Sequence, residues 1–332
     1  MTDSEQAGNG EDGSVRPEEE PDTSAPAEDP GYLVQTGEVT AEDGSVVPII
    51  GGLPAVEGSA WDIGAPVDDR GANLADSLDP VAHNRAAWDR EVDSGNEWTR
   101  PVGPEVIARA RAGDWSVVLI GYQPVPRDWF PADLAGAAVL CLASGGGQQG
   151  PVLAAAGAAV TVLDNSPRQL SRDQEVAARE ELAVRTVLGD MRDLSAFPDA
   201  SFDVVFNPVS NVFCPDLAPV WRESFRVLRP GGILMAGFLN PDVFLFDFTA
   251  LDERSELVVR HPLPFSTLDL PDEERARVHG AGPVEYSHSL TEQIGGQLAA
   301  GFILTHLTEA PHHADATARY MPGYIATRAV KP

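Results

Sequence analysis

Residues 139–164 read VLCLASGGGQQGPVLAAAGAAVTVLD, and this stretch decides the fold. Val139, Leu140, Cys141 and Leu142 form an apolar run too short for a helix and suited to a central parallel strand. Gly145, Gly146 and Gly147 let the backbone turn sharply and come close to a ligand, because no Cβ stands in the way. Residues 151–159 are mostly alanine, as in a helix packed closely on a sheet. Residues 160–163 form the next strand, with Asp164 at its carboxyl end. In an open α/β sheet, ligands bind at that edge. The stretch is therefore half of an adenosine-type cofactor site.

The alternation continues outward. Strands are expected at 138–143, 159–163, 184–188, 202–206 and 232–239, and helices at 148–157, 167–182 and 215–228. Ser166, Pro167 and Gln169 give the second of these helices an S-x-x-Q start, with proline at the first helical position. Leu170, Ala177, Ala178 and Leu182 are available for its buried face. Residues 240–283 interrupt the alternation as a mixed insertion with an aromatic piece at 243–248 and a possible strand at 256–260. A short strand at 284–289 and a helix at 290–300 follow; Ser289 and Glu292 offer that helix a capping box. Gly295 and Gly296 each cost such a helix about 1 kcal/mol relative to alanine, which points to close packing or an early break. Two last strands, 302–308 and 324–330, pair antiparallel at the sheet edge. The expected fold is α/β, a Rossmann-like three-layer sandwich with a seven-stranded, mostly parallel sheet and an antiparallel last strand. Its domain runs from 79 to 332, with N-terminal cap helices within 79–137.

Ahead of it, residues 1–78 form an acidic extension, expected to be disordered over 1–30 and irregular beyond. Residues 1–80 hold 19 of the 51 acids and only two basic residues, Arg16 and Arg70. The rest carries 32 acids against 21 basic residues, an acidic surface that disfavours a nucleic acid partner. No apolar run is long enough for a membrane span, and the N-terminus lacks the pattern of a secretory signal. Cys141 and Cys214 do not make a disulfide framework. These features point to the cytoplasm; the sequence says nothing of the oligomeric state.

The glycine run fits two templates. Gly145-x-Gly147-x-x-Gly150 with Asp164 matches a dinucleotide fingerprint, and the same residues suit S-adenosylmethionine (SAM). Further motifs separate the two: Gly189-Asp190-Met191-Arg192-Asp193-Leu194, FDVVFNPVSN at 202–211, VWRESFRVLRPGGILMAGF at 220–238 and GGQLAAGFILTHL at 295–307. With these, the chain resembles the class I SAM-dependent methyltransferases, in particular their ubiquinone/menaquinone-biosynthesis-like branch, over about residues 80–330. The resemblance implies SAM as cofactor and a small-molecule methyl acceptor. It places Gly145 and Gly147 in the cofactor turn and Asp164 on the ribose hydroxyls, with Asn165 bordering adenine. It sets Asp190 and Met191 on the adenine edge and Asn207 beneath the sulfonium. It also exposes a departure: Cys141 stands where an acid is usual and Ala143 where the first glycine is usual. The hydrogen bonds of that acid must then come from elsewhere, with Ser144 and Gln148 as candidates. A nicotinamide-dependent oxidoreductase and a non-catalytic SAM-binding protein are the alternatives.

Catalysis is the least legible part, because methyl transfer needs a base only when the acceptor must lose a proton. His261 and His288 lie in or beside the insertion expected to cap the active site; His288 is a candidate base or else a hydrogen-bonded structural histidine. Asn207-Pro208 begins a motif of amino-methylating enzymes that does not continue at Val209 and Ser210. Asn211 and Trp88 are candidate substrate contacts. His312 and His313 follow a proline in a loop with no third ligand near in sequence, so a solvated turn is favoured and no metal is expected.

Overall fold

In a computed structural model, residues 138–164 fold as the sequence suggests: strand β6 (Ala138–Leu142), the glycine turn, helix α3 (Gln149–Ala155) and strand β7 (Ala159–Asp164). The structure describes residues 78–312 and 316–332, and the backbone of three short strands, β1 (Gly37–Thr40), β2 (Val46–Ile50) and β3 (Leu53–Pro54). These three pair antiparallel in the order β1-β2-β3, within a unit that spans Met1–Gly71; the second unit spans Ala72–Pro332. The disorder expected over 1–30, and His313, lie outside the described residues.

The large sheet adds β8 (Val184–Leu188), β9 (Phe202–Asn207), β10 (Leu228–Leu239), β11 (Ile303–Ala310) and β12 (Tyr324–Val330). Its order is β11-β12-β10-β9-β6-β7-β8, parallel except that β12 runs antiparallel to both neighbours. Strand β6 is central and buried on both faces. Val139 and Cys141 enter one core with Ile107, Leu153 and Val176, while Leu140 and Leu142 enter the other with Val220, Trp221 and Phe302. That division explains the unbroken apolar run, since a strand covered on both sides has no polar face. A separate two-stranded hairpin, β4 (Val118–Ile120) and β5 (Gln123–Pro124), packs over β10. Gly237 allows this approach: a Cβ there would stand 2.3 Å from the Leu119 carbonyl oxygen.

Helices α1 (Pro80–Ser94), α2 (Pro104–Arg111), α4 (Pro167–Glu180) and α5 (Ala218–Val227) occupy the expected regions. Helix α4 starts as read, with Ser166 Oγ accepting from the Gln169 amide at 3.0 Å. Its buried stripe differs from the apolar expectation. Gln169, Leu170, Asp173 and Val176 are buried and Ala178 is exposed, so a carboxylate occupies a core position. The insertion is also less extended than expected. It holds a 3-10 turn at Pro241–Leu245, α6 (Phe248–Arg254) and α7 (Asp272–Val278), and the strands expected at 256–260 and 284–289 reduce to single bridges, Phe246 to Val259 and Ser266 to Tyr286. The 290–300 helix carries its capping box, with the Ser289 amide donating to Glu292 Oε2 at 2.8 Å and the Glu292 amide to Ser289 Oγ at 3.2 Å. It then winds as a π turn (Thr291–Gly295) before α8 (Gly296–Ala299). Close packing explains one of its glycines: a Cβ on Gly296 would lie 2.5 Å from the Trp221 ring.

Candidate functional site

A cavity of about 330 Å³ opens at the carboxyl ends of β6, β7 and β9, where the open-sheet rule places a ligand. The glycine loop forms one wall. Ala143 bends the chain out of β6 at φ +47°, a left-handed conformation that costs a residue with a Cβ and suits the glycine usual at this place. Gly146 and Gly147 follow at φ +112° and +74°. Side chains there would collide with backbone: a Cβ on Gly146 would stand 2.7 Å from the Trp98 carbonyl oxygen, and one on Gly147 equally near that of Arg172. The loop is thus clamped between residues 97–102 and α4. Gln148 belongs to the clamp, its Nε2 donating to the carbonyls of Glu97 and Arg100 at 2.9 and 3.0 Å.

Helix α4 brings a carboxylate under the loop, close to Cys141. Asp173 is fully buried under the loop and accepts from the Gly146 amide at 3.1 Å; the Gly147 amide also points at it. Burial raises its carboxyl to about 8, with the Asp164 charge adding to the shift and the loop amides opposing it. The sequence reading did not find Asp173, because a lone acid inside a helix usually faces water. Ser144 and Gln148, the residues expected to compensate, do other things: among the described residues Ser144 Oγ, buried at the cavity wall, has no hydrogen-bond partner, and Gln148 holds the clamp.

Asp164 ends β7 at the cavity. Its Oδ2 accepts from the Gly145 amide at 2.9 Å and its Oδ1 from the Ser166 amide at 2.8 Å. Each oxygen keeps a lone pair for a ligand. Burial lifts its carboxyl to about 6, against the pull of the Ser166, Gly145 and Asn165 amides. Asn165, Asp190 and Met191 also line the cavity. Asn165 is tied to α1, donating to the Val81 carbonyl at 2.8 Å and accepting from Arg85 Nε at 3.0 Å. Asp190 holds Arg192 in a two-pronged pair at 2.7 and 3.1 Å, so a ligand amine would share this carboxylate with a guanidinium. Gln169, which sequence reading assigned to capping alone, turns its buried Oε1 toward Gly146, with no partner among the described residues.

Several expected residues stand outside the lining. Asn207 is buried and ties strand ends together, donating to the Leu142 carbonyl at 3.1 Å and to Ser210 Oγ at 2.9 Å. Asn211 is buried and bonded to Gln293 Oε1 at 2.8 Å. His288 is buried behind the wall, its Nε2 bonded to the Cys214 carbonyl at 2.6 Å and its Nδ1 3.7 Å from Glu292, which fits the structural-histidine reading. His261 is enclosed by Phe248 and Phe265, and burial lowers its basicity. Trp88 does line the cavity, edge-on to Phe213 with ring centroids 5.1 Å apart. His312 also reaches it, stacked on Tyr324.

The remaining wall is mostly apolar, with Val209, Val212, Phe213 and Leu239, and carries the polar Asn84 and Ser210 and one acid, Glu285, that the sequence did not reveal. Among the described residues no group of three or more His, Cys, Asp or Glu could hold a metal, and no helix is long and apolar enough to cross a membrane.

Residues 140–236, from β6 to the middle of β10, match the family described as "Methyltransferase domain". YbaJ of Bacillus subtilis (strain 168), an uncharacterized methyltransferase, is 50% identical over 253 residues, 76% of this chain and 98% of that protein. The chain belongs to the class I SAM-dependent methyltransferases. It carries out SAM-dependent methyl transfer, and the nicotinamide alternative falls. The ubiquinone branch is represented by a partial likeness. A ubiquinone biosynthesis O-methyltransferase of Xanthomonas oryzae pv. oryzae (strain PXO99A) is 34% identical over 159 residues, 47% of this chain and 62% of that protein. A solved S-adenosylmethionine dependent methyltransferase from Mesorhizobium loti superposes with a TM-score of 0.49 at 18% identity, over 61% of this chain and 94% of that one.

Proposed function

We propose that the cavity holds SAM along the glycine loop and presents its methyl group to a small-molecule acceptor at the apolar end. The observation that carries this reading is Asp164, a cavity-facing carboxylate whose two oxygens are aimed by backbone amides and each keep an acceptor site. Vicinal ribose hydroxyls need such a two-oxygen acceptor. The surroundings fit the rest of the nucleoside: Leu163 and Met191 offer apolar surface for a base, with Asn165 and Asp190 at its edge. Buried Ser144 Oγ and Gln169 Oε1 leave polar capacity beside the loop for the amino-acid part. Gly145 and Gly147 shape the turn, Gln148 keeps the clamp closed over it, and Asn207 fixes the strand ends beneath. Trp88 covers the acceptor end. The sulfonium supplies an electrophilic methyl and a good leaving group; the protein's own task is to align the acceptor and exclude water. Two free, buried cysteines suit a reducing compartment, and we place the protein in the cytoplasm.

S-adenosylhomocysteine at about 100 times its Kd should add roughly 2.7 kcal/mol of stability, a rise in Tm of about 5–10 °C, whereas NADH should add none. Ribose hydroxyls bind the ionised form of Asp164, so binding expels a proton and affinity should fall as pH drops through about 6. No shift in Tm at millimolar ligand would contradict the assignment.

A further inference from the structure

We propose that Glu285 is the catalytic base of the reaction, and that the methyl acceptor is a small, largely apolar molecule whose nucleophile is a phenol- or enol-type hydroxyl. The inference rests on the donor site proposed above. Three acids line the cavity, and two of them are committed: Asp164 to the Gly145 and Ser166 amides, Asp190 to Arg192. Among the described residues, no hydrogen bond or ion pair reaches the Glu285 carboxylate. Its backbone, in contrast, is fixed from several sides. The Glu285 amide donates to Thr267 Oγ1 at 3.1 Å, and its carbonyl accepts from the Thr267 amide at 3.0 Å. On either side, the Val284 amide donates to Asn84 Oδ1 at 2.7 Å and the Tyr286 amide to the Val212 carbonyl at 2.8 Å. Asn84 of α1 also donates to the carbonyls of Val284 and Phe213 at 3.0 and 2.9 Å, so one buried amide joins three segments of the acceptor wall. Carried on a backbone held this rigidly, at a cavity walled by Trp88, Val212 and Phe213, the uncommitted carboxylate is placed to act on whatever enters.

The other titratable groups near it are engaged elsewhere: at the same cavity Arg192 is held by Asp190 and His312 is stacked on Tyr324. Asp269 accepts from the Ser266 amide in its own capping box. Burial pushes the Cys214 thiol up to about 12, and the Tyr286 hydroxyl is raised likewise. His83 is bonded to the Gly282 carbonyl and His288 to that of Cys214. Burial alone raises the Glu285 carboxyl to about 7. A base near neutrality is matched to moderately acidic hydroxyls. A thiol is already partly ionised near neutrality and depends less on a base, and a thioether has no proton to lose. In the transfer, the acceptor oxygen attacks the methyl carbon and the carbon–sulfur electron pair moves to sulfur, leaving a neutral thioether. The hydroxyl proton passes to Glu285 and then to water. The charges of sulfonium and carboxylate cancel.

Glu285→Gln keeps the shape and removes the proton acceptor. Both proteins should bind S-adenosylhomocysteine equally by calorimetry; absence of binding in both would overturn the donor site, and loss in the variant alone would make Glu285 a donor-site residue. Infrared difference titration of the complexes should show a carboxyl ionising near pH 7 in the wild type that is missing from Glu285→Gln. Methyl-labelled SAM, offered with simple phenols and their aryl methyl thioether counterparts, should label only the phenols. In Glu285→Gln, kcat should fall about 100-fold with the KM for SAM unchanged. The wild-type rise in kcat with pH should be lost, and Glu285→Asp should recover part of the rate. A Glu285 carboxyl titrating in the ordinary glutamate range, label on a thioether, or a Glu285→Gln rate close to wild type would each overturn the proposal.

Discussion

Asp164→Ala should weaken binding of S-adenosylhomocysteine by about 1,000-fold while leaving the sheet intact. Two hydroxyl bonds to a carboxylate contribute roughly 1.5–3 kcal/mol each, and the variant loses both, a total of about 4 kcal/mol or three decades. A second loss adds to it. The amides of Gly145 and Ser166 are aimed by the same carboxylate, so truncation also loosens the turn that the ligand lies on. Asp164→Asn separates the two effects, because its one carbonyl oxygen can keep a backbone amide while its amino group repels the other. Its affinity should fall between wild type and Asp164→Ala, and it should lose the dependence on pH near 6. Calorimetry across pH 5–8 reads both quantities; an affinity unchanged in Asp164→Ala would remove this residue from the ribose role.

Asp173→Ala should destabilise the protein by about 2 kcal/mol at neutral pH, a fall of roughly 4–8 °C in Tm, and should weaken donor binding although Asp173 does not line the cavity. The truncation leaves a void and strips the Gly147 amide of its acceptor, while the Gly146 amide keeps the Gln169 carbonyl. The sign of the pH dependence follows from burial. The folded-state carboxyl sits at about 8, above the ordinary aspartate range, so the folded protein holds this proton where the unfolded chain has lost it. Stability from Asp173 is therefore fullest below about pH 4 and declines as pH rises toward 8. The deficit of Asp173→Ala should be largest in acid and shrink with rising pH. Asp173→Asn, which keeps one acceptor and cannot ionise, should flatten the same slope. Denaturant unfolding at pH 4, 6 and 8 checks both; a deficit that grows with pH would show that the carboxylate is held ionised by contacts stronger than its burial.

The centre of the sheet was legible because β6, β7, β9 and most of β10 are buried on both faces. A run such as Val139–Leu140–Cys141–Leu142 has few alternatives once a glycine turn and a second strand follow. The carboxyl-end acid Asp164 was legible for the same reason, since its place is set by the strand and not by side-chain packing. The acid under the loop was not. Asp173 lies nine residues beyond Asp164 on a helix whose other charged residues are not buried, and nothing in its sequence neighbours marks it as buried. Glu285 was hidden differently. Its segment makes only one bridge and is held by Asn84 and Thr267, contacts across 200 and 18 residues that no local pattern encodes. His288 looked more reactive by residue type, yet its ring is committed to the Cys214 carbonyl.

A crystal structure of the protein with S-adenosylhomocysteine tests the donor site most directly. Both ribose hydroxyls should lie within hydrogen-bond distance of the Asp164 carboxylate, with the base between Leu163 and Met191 and the thioether sulfur turned toward the wall that carries Glu285. A nucleoside bound away from the glycine loop, or a ribose held by another acid, would contradict it.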